Sequence, residues 1–424
     1  MGKALGGSTA INGMLWARGN PKDYNLWAQQ GNEGWSYEEL LPYFKKSEDS
    51  NIKHYSSHHQ GKGGKVHLEN SHFESHATEY ILRAAKELKI PYVNYNAGDQ
   101  MGIGHAQGAL KDGKRWSSAR AYLEPAEKKS NLIIKSKSTV LKVLIDENKV
   151  AYGVQYIQNG TLYEAHTRKE VILSAGGMAT PKLLMLSGIG IKFIFDKSPL
   201  SPENRKEEIV EYLKHGKGPL TAFSADLVAY FKTKVSQDED GYPDIELTFS
   251  PKRSNDRLAV AVNVVLMHPK STGTIKLLSK DPLDPPLIDP SYLSDENDMN
   301  TVLAGIRIAQ TFTKTDVFKT YGGHLDSEPL PACSFEKFDS DSYWRCAVQH
   351  QSICLSDPAG TAKMGGENDT DAVVDSKLKV HGIKHLRVVD NSVIPISVTG
   401  HMMAPAYMIG EKAADIIKYF WKSK

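Results

Sequence analysis

Cysteine is scarce in this chain. Its 424 residues hold three, Cys333, Cys346 and Cys354, with no Cys-x-x-Cys pair among them. That is too few and too irregular for a disulfide framework, and the spacing matches no structural zinc site. Long apolar runs are missing as well. No stretch reaches the roughly 18 residues of a membrane span, and the longest, Leu258 to Met267, is interrupted by Asn263 and reads as a buried strand. Neither charge is in excess: Lys plus Arg total 52 against 50 Asp plus Glu, a net of +2. No sequence-wide basic field exists to draw in nucleic acid, which leaves a small molecule as the expected partner. No repeat appears at a solenoid period. At roughly 150 residues per domain, the length implies two or three domains of ordinary globular composition.

The N-terminus opens directly on function-like sequence. Where an export signal would show a basic start and an apolar stretch, Met1 leads into Gly2-Lys3-Ala4-Leu5-Gly6-Gly7-Ser8-Thr9. This reads as a tight glycine turn entering a helix at Ala10-Ile11-Asn12, where exposed N–H groups face an anionic or polar ligand. Glu38 to Lys46 reads as a surface helix capped by Ser36, and Glu74 to Leu88 as an amphipathic helix ending before Pro91. Strands are expected at Leu132–Lys135, Val140–Ile145, Ala151–Gln158, Thr161–Thr167 and Val171–Ser174, with Asn159-Gly160 as a primed hairpin turn. Most of this is an antiparallel meander. The last strand differs: Val171-Ile172-Leu173 is wholly apolar and runs through Ser174-Ala175-Gly176-Gly177 into a helix. A buried strand that delivers its C-terminal end to a glycine turn and a helix is where open α/β sheets place cofactors.

Further on, Gly273–Leu277 reads as a strand, the proline-rich Asp281–Pro290 as an extended connection, and Glu296–Phe318 as helical. Short strands ending in acids are expected at Val373–Asp375 and Leu386–Asp390. In the final helix Ala406, Ile409, Ala413, Ile416, Ile417 and Phe420 mark one face, and Pro405 suits its first turn. His401 then sits just before a helix N-terminus, the end that carries positive partial charge. From position alone two readings stand: a satisfied core histidine, or a group that faces a ligand.

Four blocks together resemble the glucose-methanol-choline (GMC) oxidoreductases, most closely the insect branch with glucose dehydrogenase and ecdysone oxidase. They are Gly2-Lys3-Ala4-Leu5-Gly6-Gly7-Ser8-Thr9-Ala10-Ile11-Asn12 with Arg18-Gly19; Gly176-Gly177-Met178-Ala179-Thr180-Pro181 through Gly190; His268-Pro269-Lys270-Ser271-Thr272-Gly273; and Gly360-Thr361 through Met364-Gly365 with Val388 to Lys412. The resemblance implies an α/β fold: an FAD/NAD(P)-binding Rossmann-like domain, incomplete at its N-terminus, interleaved with an α+β substrate domain built on an antiparallel sheet. It divides the chain into an N-terminal FAD-binding part at 1–190, a substrate-domain segment at 191–267 and a C-terminal part at 268–424. The family's Gly-x-Gly-x-x-Gly strand and turn lie upstream of the block that begins at Gly2. The expected reaction is hydride transfer from the CH–OH group of an alcohol to FAD, with quinone or oxygen as electron acceptor. The other expectation is a catalytically silent, truncated relative that holds no FAD.

By the same resemblance, Gly6, Gly7, Ser8, Asn12, Gly13, Met14 and Leu15 pass beside the flavin ring, and Val140 meets the adenine or is plain strand core. Asp390 and Asn391 lie beside the ribityl chain, and Met402 and Met403 join His401 on the reactive side. Family members usually carry a histidine immediately before the Pro-Val-Gly-Thr stretch; here Asp357 precedes Pro358-Ala359-Gly360-Thr361. The expected catalytic pair is His401 as base with Asp357 orienting it, and no metal is implied. A carboxylate near an imidazole also favours the protonated ring, which cannot accept a proton. The substrate pocket is expected from Ile191 to Ser250. Relatives in the insect branch are frequently secreted, so the resemblance makes secretion an open expectation.

Overall fold

The computed structural model describes residues 2–53, 59–189, 223–238, 241–254, 257–352, 357–366 and 368–423. Cys354 lies outside them. Two helices near the N-terminus, α1 (Pro21–Gln29) and α2 (Tyr37–Ser47), carry the start of the core. Asn20 caps α1, its side chain accepting from Lys22 N while Asp23 closes the capping box. Ahead of α2 the Glu39 carboxylate accepts from both the N–H and the hydroxyl of Ser36. Trp16, Tyr24, Trp27, Trp35, Leu40 and Phe44 are buried here in one cluster with the last helix. The amphipathic helix α3 (His76–Glu87) is capped by Ser75, as its periodicity predicts.

The meander forms as read: β1 (Ser138–Ile145), β2 (Ala151–Gln158) and β3 (Thr161–His166) pair antiparallel in that order. Asn159 and Gly160 both have positive φ, 51° and 78°, which a primed two-residue turn requires. Next, β4 (Val171–Leu173) enters α4 (Gly176–Leu186) through Ser174-Ala175 and pairs in parallel with β10 (Leu386–Val388). Among the described residues no strand covers the other edge of β4, and Ile172 is 45% exposed.

The expected strand at Leu132–Lys135 is absent. The segment has strand composition but pairs with nothing described, and Ile133 is 82% exposed; an apolar run without a partner strand has nowhere to place its backbone bonds. The glycine turn near the N-terminus is likewise one 3-10 turn, Gly7–Ala10, and not the start of an α-helix. Within it Gly7 N donates to Ala4 O and Thr9 N to Gly6 O, so these two N–H groups close the turn rather than face a ligand.

A second sheet, β5 (Leu227–Phe231), β6 (Ile245–Ser254) and β7 (Arg257–Leu266), is antiparallel with β6 in the middle. Ile245, Leu247 and Phe249 face the α3 side with Ile81, Ala84 and Phe312. Among the described residues the run at 258–267 is therefore an edge strand rather than a buried one, and Val262 is partly exposed. Within the proline-rich connection β9 (Leu287–Asp289) pairs with β8 (Thr274–Lys276). The helical stretch after it stops early: α5 covers Glu296–Thr311, and extended Thr315 caps a separate short helix, Asp316–Thr320.

Cys333 and Cys346 form a disulfide across 13 positions. The bridge ties a turn at Pro331–Cys333 to α6 (Asp341–Gln351) in a small satellite cluster with Tyr343 and Ala347. No framework spacing announces it, because tertiary packing brings the thiols together. Cys346→Ser is expected to remove about 2–4 kcal/mol, as for a loop of this length, read as a lower guanidinium chloride midpoint.

The chain ends in α7 (Met403–Lys422). Its first half is buried almost all round, at Ala404, Pro405, Tyr407, Met408 and Ile409, so the apolar face read from the sequence is narrower than the one the core covers. That central placement puts the N-terminal end of α7 inside the molecule.

Candidate active site

His401 stands two residues before α7. Gly400 makes the approach with φ 148°, and a Cβ there would lie 2.9 Å from the Ala17 Cβ, so only glycine lets the loop lie this close to the N-terminal segment. The imidazole is held between two carboxylates. Nε2 lies 3.0 Å from Oε1 of Glu246, and Nδ1 lies 3.6 Å from Oδ2 of Asp357, outside hydrogen-bond distance.

Glu246 comes from β6. It is fully buried, its second oxygen has no partner among the described residues, and it faces away from the α3 side that Ile245 and Leu247 occupy. The sequence reading missed it. In Ile245-Glu246-Leu247-Thr248-Phe249 the alternation places Glu246 on what reads as a solvent face, whereas the loop before α7 covers that face. An acid next to Thr248 on the polar side of a period-2 strand is the only signal available.

Asp357 is carried by a loop docked on α4. Gly177 admits the Pro358 carbonyl, which would stand 2.6 Å from a Cβ at that position, and the Thr361 hydroxyl donates to Gly177 O at 2.7 Å. Burial works against a charged imidazole at His401, but Glu246 foremost, together with Asp357, outweighs it and holds the ring well above the ordinary histidine range.

The other predicted residues fall into two places. Around the N-terminal end of α7, the Asn12 amide donates to Met403 Sδ at 3.0 Å, and the Asn391 amide donates to Met402 O at 3.2 Å. Arg115 donates to Asn12 Oδ1 at 2.8 Å and to its carbonyl at 2.7 Å. Met14 (φ 64°) and Leu15 are buried behind this loop, and Gly13 packs on Ser224. Gly6 caps the 3-10 turn that Gly7 and Ser8 begin, and Ser118 ties back to Gly6 O. Asp390 accepts from Gly176 N at 2.8 Å, Thr180 Oγ1 at 2.6 Å and Ser392 N at 2.9 Å, and also from the Ser392 hydroxyl. Asp390→Ala would strip the acceptor from all four donors and is expected to cost about 3 kcal/mol or more, seen as a lower melting temperature. Val140 stands apart from His401. It lines a cavity of about 600 Å³ with Val154, Ile172, Leu173, Ala175 and Leu183, at the C-terminal end of β4. His401 does not line that cavity.

These residues fit a flavin at its ring and ribityl end. Asn391 Oδ1 is buried with no partner among the described residues, an acceptor suited to a hydroxyl of a sugar-alcohol chain, beside the N-terminal end of a long helix. The cavity at Val140 lies where parallel strands end, the usual place for a cofactor's far end.

Family models described as GMC oxidoreductase match residues 1–195 and 269–410. The chain is 35% identical to glucose dehydrogenase [FAD, quinone] of Drosophila pseudoobscura pseudoobscura, an alignment that covers 100% of this chain and 75% of that protein. Mitochondrial choline dehydrogenase of Mus musculus is 32% identical over 98% of this chain and 75% of its own length. Among solved structures, formate oxidase of Aspergillus oryzae RIB40 superposes with a TM-score of 0.83 at 26% identity, covering 99% of this chain and 84% of that one. The family models and the structural relatives place the chain among the α/β oxidoreductases. The chain belongs to the GMC oxidoreductase family, and the expected fold class agrees with its structural relatives.

Proposed function

We propose that this protein oxidises the CH–OH group of a small-molecule donor with FAD, using His401 as the base, Glu246 as the residue that orients it, and a quinone as electron acceptor. The coarse reaction rests on family membership and on the relatives' names, which include FAD, glucose, choline and alcohol. The observation that carries the finer reading is the lone imidazole at the N-terminal end of α7, fixed by a buried carboxylate 3.0 Å away.

FAD, when bound, accepts the hydride that leaves the donor carbon. The chain's own residues handle the proton. With Nε2–H donating to Glu246, Nδ1 is the ring atom that accepts the hydroxyl proton, as in triads where a carboxylate fixes the tautomer. Asp357, partly exposed and beyond hydrogen-bond distance, flanks Nδ1 where the donor hydroxyl would enter. Asn12 and Arg115 brace the N-terminal loop against Met403. The positive end of α7 favours negative charge that develops next to it.

A second reading, a family member that holds no FAD, is favoured by the edge of β4 that no described strand covers and by the exposed Ile133 and Ile172. Absorbance of the purified protein separates the two: flavin bands in a yellow solution support the enzyme, and a colourless folded protein supports the second reading.

A further inference from the structure

Thr399, two residues before His401, has every hydrogen-bonding group engaged in the interior. Its N–H donates to Asp23 Oδ2 at 2.7 Å and its hydroxyl to Asp23 Oδ1 at 2.9 Å. Its carbonyl accepts from Gln100 Nε2 at 3.0 Å, and its hydroxyl lies 2.9 Å from His268 Nε2. Because the hydroxyl proton goes to Asp23, the hydroxyl oxygen accepts from His268, which places a proton on Nε2. Asp23 is fully buried and takes two further donors, Asn20 N at 2.8 Å and Tyr242 Oη at 2.8 Å. Burial keeps His268 below its ordinary range, so it serves as a neutral donor.

This network has no partner in the proton transfer, touches neither His401 nor Glu246, and yet sits on the backbone that carries His401. Side chains of α1, of the loop at Gln100 and of the segment at His268 meet at one residue, and only Gly400 separates that residue from the imidazole.

We propose that Asp23 is a positioning residue for His401, acting through Thr399 as a clamp that fixes residues 399–401 and so sets the imidazole between Glu246 and Asp357. The proposal rests on the reading of His401 as the base, but its test is independent of that reading. The titratable groups at the ring are Glu246 from β6 and Asp357 from the loop docked on α4; Tyr230 of β5 is the cross-strand partner of Glu246, and its hydroxyl would lie 3.6 Å from a Cβ at Gly400. Asp23 and His268 stand behind Thr399. A clamp that loosens lets the ring move away from Glu246, and proximity is what keeps it protonated.

The test is the titration of His401 by NMR on the full chain with isotopically labelled histidine, assigned by its loss in His401→Gln. Thr399→Val keeps the side-chain shape and removes the hydroxyl; Thr399→Ser restores the hydroxyl. The expected result is a His401 titration moved to lower pH in Thr399→Val, with return to the wild-type midpoint in Thr399→Ser. In the FAD-loaded enzyme the same variant is expected to lose up to about 10²-fold in kcat, the scale of a small misplacement of a catalytic group. An unmoved midpoint in folded Thr399→Val overturns the proposal. Should that variant not fold, Asp23→Asn, which keeps the side-chain shape and removes the charge that holds the Thr399 N–H and hydroxyl, decides by the same shift: a lower midpoint supports the clamp and an unmoved one overturns it. Failure of the base assignment looks different, since a wild-type rate in His401→Gln leaves the titration shift intact.

Discussion

His401→Ala and His401→Gln are both expected to lower kcat/KM with an alcohol donor by about 10²–10⁴, the usual contribution of a positioned general base. The pair matters because the alanine variant has a second effect. It leaves Glu246 buried without its partner, and a lone buried carboxylate costs several kcal/mol. Glutamine keeps an N–H donor for Glu246 while removing the titrating ring. Equal rate losses with unequal melting temperatures, alanine the lower, would separate the proton transfer from the packing of the pair.

Glu246→Gln is expected to shift the pH dependence of the reaction towards lower pH. The sign follows from the site. His401 is held well above its ordinary range, so in the wild-type protein the ring carries its proton at neutral pH and the base form appears only as pH rises. Removing the charge of Glu246 removes the largest stabiliser of the imidazolium, and the neutral ring then exists at lower pH. Stability changes in step. A group whose pKa is raised on folding contributes stability that is complete below the ordinary histidine range and is lost as pH rises through the raised value. Wild-type protein should therefore lose melting temperature on the alkaline side, and Glu246→Gln should show a smaller alkaline loss. A pH-rate curve of Glu246→Gln that overlays the wild type would remove Glu246 from the mechanism and leave Asp357 as the carboxylate at the ring among the described residues.

The parts of the fold legible in the sequence are those set by neighbours along the chain. The primed turn at Asn159-Gly160 needs two positive φ angles and has the residues for them. The path from Val171-Ile172-Leu173 into α4 follows from an apolar strand, a glycine turn and a helical period in direct succession, and its parallel partner β10 completes it. His401 at the start of the last helix was legible for the same reason. What was not legible depended on distant partners. Leu132-Ile133-Ile134 has the composition of a strand and forms none, since composition does not supply a neighbour. Cys333 and Cys346 meet through a satellite cluster that no spacing rule describes. Glu246 is the most telling case. Strand alternation assigns it correctly to the face opposite Ile245, but whether that face meets water or the loop before α7 is decided by residues more than 150 positions away. The site is thus half local, in the 399–403 segment, and half tertiary, in the carboxylates brought to it.

The most direct test of the central claim is the rate of flavin bleaching by an alcohol donor under anaerobic stopped flow, measured across pH in the FAD-loaded wild-type protein and in His401→Gln. A wild-type rate that rises with pH and a slow, pH-flat rate in His401→Gln are the predicted results. Equal rates in the two proteins, or a wild-type rate that falls as pH rises, would contradict the assignment of His401 as the proton acceptor.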